Sequence, residues 1–392
     1  MKCRTLLALL SLACVPVVSA QVYTITNLGN FSPTAINSWG QVVGNRNGEA
    51  FIWAQFTGLK GLGKLSGGTA SYAASINDLG VVTGTADGAG TVISQDPTIY
   101  PNEECSDVTQ PFVWAPVKGM KGLGTVGPRW IFPILWCDIA FSGTGVNDGG
   151  EVVGYTGVSE GSYQWGFFWT KADGMTLIGI TFPPSWVNGI NNSGQIAGQT
   201  GIYIGQATLW KGTAGTTLQD LGGGGGSGSY SSSANGVNDR GQAVGWSTTG
   251  PLSVDCQSNL ALCPMHAVLW TPSGEISDLG TLEGDTFSVA TNISSFGQVI
   301  GSSGNALGSL PWGAPGGAGW GGELGPLAVI GRPFVWSPCS GMQDLNTLIP
   351  GGSGWVLNLV SGINSWGQIV GSGTVNGQTR GFLLTPRGFQ CI

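Results

Sequence analysis

The sequence predicts an all-β protein built from seven repeats of four strands, and three observations support this prediction. Gly makes up 70 of the 392 residues without a collagen-like period, which indicates many tight turns, and only 9% of the residues are charged. A nine-residue motif recurs seven times along the chain. A short apolar segment ending in Trp follows six of the seven copies, and four-stranded repeats of this kind are typical of β-propellers.

The recurring motif predicts a tight hairpin. It consists of an aliphatic residue, Asn, two variable residues and Gly, followed by one more residue, often Gln, a mostly β-branched pair and a second Gly. Asn at the first position of a β-turn binds nearby backbone N–H groups, and Gly at the fourth position adopts a conformation that other residues avoid. The copies begin at Ile36, Ile76, Val146, Ile190, Val237, Ile293 and Ile363, and only the sixth departs from the pattern, with Ser294 in place of Asn.

Two further segments complete each unit. The apolar segments after the hairpins are Phe51–Trp53, Phe112–Trp114, Phe167–Trp169, Thr208–Trp210, Val268–Trp270, Phe334–Trp336 and Phe382–Leu384. A last short segment follows in most units, as in Gln219-Asp220-Leu221-Gly222. Each unit therefore has four strands, which we call A, B, C and D in chain order.

We expect the N-terminal strand to close a seven-bladed propeller. The seventh unit ends after strand C, at Leu384, and has no strand D of its own. Residues 23–29 form an additional strand before the first unit, so this strand can complete the last blade. Closure removes the exposed sheet edges that an open array would leave. A linear solenoid is the alternative, and the displaced strand argues against it.

The repeats resemble the HAF repeats of bacterial proteins that are predicted to be extracellular. The resemblance covers the chain after its first 20 residues and rests on the hairpins of the type Ile-Asn-x-x-Gly-Gln-Val-Val-Gly. It also rests on the segment His266-Ala267-Val268-Leu269-Trp270, the one copy that keeps the His of the family's name. The resemblance implies a secreted repeat fold, and it carries no catalytic residue or substrate over to this chain.

Residues 1–20 are predicted to be a secretory signal peptide. Two basic residues precede a short apolar run, and Val18-Ser19-Ala20 supplies small or apolar residues at the cleavage site. We expect cleavage after Ala20 and a single propeller domain over residues 21–392. Cys14 leaves a lipoprotein as the alternative.

The charge balance excludes two classes of partner. Without the signal peptide, 12 basic residues stand against 21 acidic ones, a net charge of about −9. Nucleic acids and anionic membranes both require a basic face, so we expect neither as a partner. No later segment is long and apolar enough to span a bilayer. We therefore expect a secreted monomer, extracellular or periplasmic.

One face of the expected propeller carries most of the variable loops. In a blade with strand A innermost, the A–B and C–D turns share one face, which we call the turn face, and they are short. The B–C loops and D–A connections share the opposite face, which we call the loop face, and all large insertions fall there. A rigid scaffold with variable loops on one face is a common arrangement for a binding site.

Six cysteines remain after signal cleavage, and an even number in an exported protein predicts three disulfides. The pairs that the topology favours are Cys256–Cys263 within one B–C loop, Cys105–Cys137 between neighbouring loops, and Cys339–Cys391 in adjacent blades on the opposite face. One or more free thiols are the alternative.

His266 is the only histidine, and it occupies a strand position that most other repeats fill with ordinary polar residues. We therefore expect it to be structural. A Ser-His-Asp triad would depend on this one residue, and a multi-histidine metal site is excluded. The repeated Asn residues are predicted to be turn residues rather than ligands. We predict no catalytic residue, no metal site and no cofactor.

Carboxylates are the remaining option for catalysis. An insertion in blade 2 contains a cluster of four, Asp96, Glu103, Glu104 and Asp107, and a disulfide to Cys137 would bring Asp138 near them. Paired carboxylates can hydrolyse glycosidic bonds or bind Ca²⁺, but no spacing here is diagnostic. We expect a solvated acidic loop, with a calcium site or a hydrolase as the alternative.

Tryptophan gives the strongest indication of binding. Segments that lead into strand A should surround the mouth of the central channel, and three of them carry four tryptophans, Trp130, Trp136, Trp186 and Trp355. Aromatic rings suit the flat apolar faces of sugars and extended peptides. The alternative is that each Trp fills its own loop. Trp39 and Trp366 occupy equivalent A–B turns and receive no binding role.

The sequence therefore favours a secreted, non-catalytic propeller that binds a glycan or an extracellular protein on its loop face. The residues assigned to binding are Trp130, Trp136, Trp186, Trp355 and Asp138. A carboxylate-dependent extracellular hydrolase resembling a glycosidase, and a purely structural module of the cell surface, are the alternatives.

Overall fold

The computed structural model describes residues 23–88, 109–124, 129–131, 134–136, 138–158, 164–178, 185–201, 205–222, 230–251, 263–309 and 327–388. These residues form a seven-bladed β-propeller of four-stranded antiparallel sheets, as the repeats predict. Each of the seven motif copies lies at the turn between the first two strands of a blade.

The first three blades follow the strand order of the sequence. Blade 1 comprises β2 (Ser32–Ile36), β3 (Val42–Arg46), β4 (Glu49–Ala54) and β5 (Gly58–Gly63). Blade 2 comprises β6 (Ser71–Ile76), β7 (Val82–Asp87), β8 (Thr109–Ala115) and β9 (Gly119–Gly122). A short hairpin of β10 (Arg129–Ile131) and β11 (Ile134–Trp136) leads to blade 3, which comprises β12 (Asp138–Val146), β13 (Val152–Val158), β14 (Gln164–Thr170) and β15 (Gly174–Ile178).

Blades 4 to 6 repeat this arrangement. Blade 4 comprises β16 (Ser185–Ile190), β17 (Gln195–Thr200), β18 (Gln206–Lys211) and β19 (Ala214–Thr217). Blade 5 comprises β20 (Ser232–Val237), β21 (Ala243–Thr248), β22 (Met265–Trp270) and β23 (Ile276–Asp278). Blade 6 comprises β24 (Phe287–Ile293), β25 (Val299–Ser309), β26 (Leu327–Ser337) and β27 (Gly341–Asp344), followed by one 3-10 turn at Leu345–Thr347.

The N-terminal strand closes the ring, as predicted. Blade 7 comprises β28 (Trp355–Ile363), β29 (Ile369–Val375) and β30 (Gln378–Pro386), and β1 (Tyr23–Gly29) is its fourth strand. Antiparallel pairing runs from Tyr23 opposite Pro386 to Asn27 opposite Phe382. The buried Tyr23 side chain lies in the apolar core of the last blade, so closure buries apolar surface as well as pairing an edge.

A β-bulge recurs in strand A of every blade, where the pairing with strand B shifts register. In five blades the bulge directs a polar side chain at the next blade. Thr34 Oγ1 donates to Ala73 O at 3.0 Å, and Asn235 Nδ2 donates to Ala290 O at 2.9 Å. Bulges therefore connect neighbouring blades around the channel.

The apolar core lies between neighbouring blades rather than within one sheet. Ile52 of blade 1 and Phe112 of blade 2 belong to one buried cluster, which also includes Trp114. Trp210 and Trp270 of strand C likewise pack into clusters with the preceding blade. Packing of these strand C tryptophans between blades is the arrangement that the repeats predict. Among the described residues, no helix could cross a lipid bilayer.

Candidate functional site

The loop face shows two of the four predicted tryptophans with their side chains packed. Trp186 on β16 is 3% exposed. Trp355 on β28 is half-buried and meets the Phe382 ring edge-on, with 6.1 Å between ring centroids and 83° between ring planes. An aromatic platform needs an exposed ring face, and Trp186 does not offer one.

Three other predicted site residues are placed by their backbone. Trp130 lies on β10 and Trp136 on β11 of the short hairpin, and Asp138 begins β12. Their side chains lie outside the described part of the chain, as does the acidic insertion of blade 2. The glycosidase alternative therefore stays a prediction.

The cysteine pairings also stay predictions. Cys263 is buried beside Met265 and Trp246, and Cys339 lies in the exposed turn after β26. Their expected partners, Cys256 and Cys391, lie outside the described residues, and so do Cys105 and Cys137.

His266 ties strand C to strand D in blade 5. Its Nδ1 atom lies 2.9 Å from Asp278 Oδ2. Burial by itself raises the pKa of the Asp278 carboxyl. Hydrogen bonds from His266 and from the Gly280 N–H, together with the charge of His266, outweigh that effect, so the pKa of Asp278 lies below its ordinary value. This pair joins β22 to β23, which agrees with a structural role.

The turn face is organised by a ring of Asn side chains at the first position of the A–B turns. Each amide Nδ2 atom donates to the backbone carbonyl of the equivalent residue in the next blade, at 2.7–3.1 Å. The donors are Asn37, Asn77, Asn147, Asn191, Asn238 and Asn364. Because Ser294 replaces Asn in blade 6, the ring has one gap, between blades 6 and 7.

The second turn position forms another ring around the axis, and its members in blades 2 to 5 differ chemically from the rest. These members, which we call the acidic arc, are Asp78, Asp148, Asn192 and Asp239. Each of these side chains accepts the backbone N–H of the equivalent residue in the preceding blade, at 2.8–2.9 Å. Asn192 also donates to both neighbouring carboxylates.

The other half of this ring consists of hydroxyl groups. Ser295, Ser365 and Ser38, which we call the serine arc, occupy the same position in blades 6, 7 and 1. Ser365 Oγ lies 3.2 Å from the hydroxyl oxygens of both other serines. Because these hydroxyls bond to one another, the N–H groups of Asp239, Ser295 and Ser365 have no hydrogen-bond partner in the described part of the chain.

The third turn position carries exposed apolar side chains in four consecutive blades, from blade 6 through blade 7 to blades 1 and 2. These residues, which we call the apolar arc, are Phe296 (38% exposed), Trp366 (69%), Trp39 (78%) and Leu79 (67%). Trp366 Nε1 donates to Ser38 O at 3.0 Å, which holds its indole beside the turn that carries Trp39. The Arg240 guanidinium lies 5.2 Å from the centre of the Phe296 ring.

The first two turn positions line a cavity on the propeller axis. It has a volume of about 200 Å³ and is lined by the A–B turns of all seven blades. Its wall is formed by the Asn ring, the acidic arc and the serine arc, and each residue of the apolar arc directly follows a lining residue in its turn. We call it the axial cavity.

Sequence reasoning recognised these turns but did not find this site. It placed Asn at a turn position, which is confirmed by the bonds from Trp39 N and Gln41 N to Asn37 Oδ1, at 3.1 and 2.9 Å. It also noted that Trp39 and Trp366 are equivalent. The available signal was their position two residues after the turn Asn, where a β-turn side chain points to solvent.

Comparisons with known proteins add the fold alone. No family model and no curated protein matches the chain. An oligogalacturonate lyase in complex with manganese aligns over 93% of each chain with 11% identity and a TM-score of 0.51. A streptogramin B lyase (8% identity, 93% and 98% covered, TM-score 0.48) and the propeller domain of the Trilobed protease from Pyrococcus furiosus (8%, 93% and 96%, 0.47) also align. At such identity, similarity shows a shared architecture and no shared activity.

Proposed function

We propose that this protein is an exported, non-catalytic propeller that binds glycans on its turn face. The observation that carries the proposal is the apolar arc. In it, Trp39 and Trp366 are 78% and 69% exposed in adjacent blades, and each directly follows a serine that lines a polar cavity. An exposed tryptophan loses favourable burial unless a partner covers it, and a cluster of exposed apolar side chains is typical of an interaction site.

The surroundings favour a sugar over a purely apolar partner. Aromatic rings cover the apolar faces of sugars, and the hydroxyl groups of a sugar need hydrogen-bond donors and acceptors close by. The axial cavity supplies both kinds of group, because carboxylate and amide oxygens line one half and serine hydroxyls the other.

The turn face is also held rigidly before any ligand arrives. Each A–B turn is bonded to its own Asn or, in blade 6, Ser side chain. All six Asn side chains are also bonded to the next blade. A preorganised site binds more tightly, since little conformational entropy is lost on binding.

The test is binding of residues 21–392 to a broad array of polysaccharides and glycans, repeated with Trp39→Ala and Trp366→Ala. We expect each substitution to abolish or strongly weaken the hits while the thermal unfolding midpoint stays unchanged. The matched control is Phe56→Ala, because Phe56 is 95% exposed on the same face but lies in the outer C–D turn of blade 1. This variant should bind as the unchanged protein does.

Two results would overturn the proposal. One is the absence of any glycan ligand for the folded protein. The other is a set of hits that both tryptophan variants retain. If Trp355→Ala removed those hits instead, binding would belong to the loop face, where Trp130, Trp136 and Asp138 remain candidates.

A further inference from the structure

We infer that the axial cavity receives the end of a bound glycan chain and that this end carries a protonated amine, as a glucosamine unit does. The inference rests on the proposed function and adds the ligand's chemical class. It comes from the division of the second turn position into an acidic arc and a serine arc, combined with the size of the cavity and its lining by all seven blades.

The ring of turns around the cavity restricts which part of a glycan chain can enter. The turns of all seven blades surround the cavity, so it has no exit at the side. Its volume of about 200 Å³ lies below the roughly 300–1,000 Å³ of pockets for drug-sized ligands. An interior sugar of a polymer has neighbours on both sides, whereas a terminal sugar has one, which can lie against the apolar arc.

The acidic arc selects a cationic group. In the described part of the chain, none of Asp78, Asp148 and Asp239 forms a salt bridge with Lys, Arg or His. The guanidinium of Arg240, the cation next in sequence, lies over the Phe296 ring. Three carboxylates in half a ring therefore create a negative potential that a cation can neutralise.

Asp78 is the residue best placed to meet the cation. One of its oxygens accepts the Ser38 N–H at 2.8 Å, and its other oxygen has no partner among the described residues. The carboxylates of Asp148 and Asp239 each accept a bond from Asn192 as well. A new hydrogen bond to an ammonium group is thus available at Asp78 without breaking an existing one.

The serine arc suits the rest of an amino sugar. It offers three hydroxyls and lies beside three N–H groups without a partner in the described chain, whereas the equivalent N–H groups of blades 1 to 4 are bonded to the acidic arc. Sugar hydroxyl oxygens can accept from these donors. A ligand with an ammonium group on one side and hydroxyls on the other matches both halves of the ring.

The experiment compares two trisaccharides by calorimetry, the glucosamine trimer and its fully N-acetylated counterpart, at a pH where the amines are charged. We expect the glucosamine trimer to bind the unchanged protein about tenfold more tightly or better, as one charge-assisted hydrogen bond provides. Asp78→Asn keeps an oxygen for the Ser38 N–H and removes the charge, so it should cancel this preference.

Asp173→Asn is the matched control, because Asp173 is exposed in the C–D turn of blade 3 on the same face and the substitution removes the same charge. The Asp173→Asn protein should still prefer the glucosamine trimer to the acetylated one. A second measurement uses long glucosamine polymers of several lengths at equal mass, and the amount of bound protein should follow the number of chain ends.

The outcomes separate the two proposals. Equal affinity for both trimers, failure of both to bind, or binding that follows polymer mass would overturn the inference. If the glycan array still gave hits that depend on Trp39, the proposed function would stand without it. If the array gave none, both would be overturned.

Discussion

The Asn side chain of an A–B turn makes three hydrogen bonds, two within its own turn and one to the next blade. In blade 2 the Oδ1 atom of Asn77 accepts the N–H groups of Leu79 and Val81 at 3.1 and 2.8 Å, and Nδ2 donates to Asn147 O at 2.7 Å. Ser294 of blade 6 shows which of these hydrogen bonds a shorter side chain retains. Its hydroxyl accepts the Phe296 and Gln298 N–H groups at 3.3 and 3.1 Å and makes no bond to the next blade.

At this scale we predict that Asn77→Ser lowers the free energy of unfolding by about 1–3 kcal/mol, because a buried carbonyl loses its donor. The reverse substitution, Ser294→Asn, should raise it by about 1 kcal/mol by filling the gap in the ring. Denaturant unfolding of both variants measures the changes. Equal stability of Asn77→Ser and the unchanged protein would show that the Asn ring contributes nothing to the free energy of unfolding.

Among the elements, the hairpin of strands A and B explains the second Gly of the motif. At the bulge the two backbones approach so closely that a Cβ atom on Gly84 would lie 1.9 Å from Tyr72 O, and the equivalent glycines of the other blades show the same conflict at 1.8–2.1 Å. The first Gly of the motif serves a different need, since Gly80 has a φ of 73°, which disfavours other residues.

We predict that Gly84→Ala destabilises the protein by at least about 3 kcal/mol, since the contact is with backbone that cannot move without breaking the pairing. Gly250→Ala is the control, because a Cβ there meets nothing within 4 Å. Thermal unfolding of the two variants provides the comparison. A Gly84→Ala protein as stable as the control would contradict the steric account.

For the whole molecule, stability depends on closing the ring with a strand that is distant in sequence. Strand β1 pairs along β30, and its Tyr23 hydroxyl and side chain are buried in the last blade, where burial raises the pKa of the phenol above its ordinary value. Without β1, strand β30 would be an unpaired edge, and such edges promote association between molecules.

We predict that removing residues 21–29 lowers the unfolding midpoint and produces oligomers, observed by light scattering after size exclusion. A circular permutant that carries residues 21–29 after Pro386 through a short flexible linker is the control, and it should recover a monomer of near-original stability. If the shortened protein stayed monomeric and equally stable, the closing strand would be dispensable.

Sequence alone determined the number of blades, the four strands of each and the closing strand, because these follow from local periodicity and turn chemistry repeated along the chain. It also identified the turn Asn, since an Asn–Gly spacing encodes a β-turn within five residues. The closing role of residues 23–29 followed from counting strands, and the pairing of β1 with β30 confirms it.

Tertiary structure decided which side chains meet and which remain exposed. The sequence assigned a binding role to Trp186 and none to Trp39, yet Trp186 is 3% and Trp39 78% exposed, because neighbouring blades cover strand A and leave the turn tips open. The acidic and serine arcs likewise exist only in the closed ring, where residues some 40 to 70 positions apart become neighbours. Spacing along a chain carries no information on such contacts, since they depend on how whole blades pack around the axis.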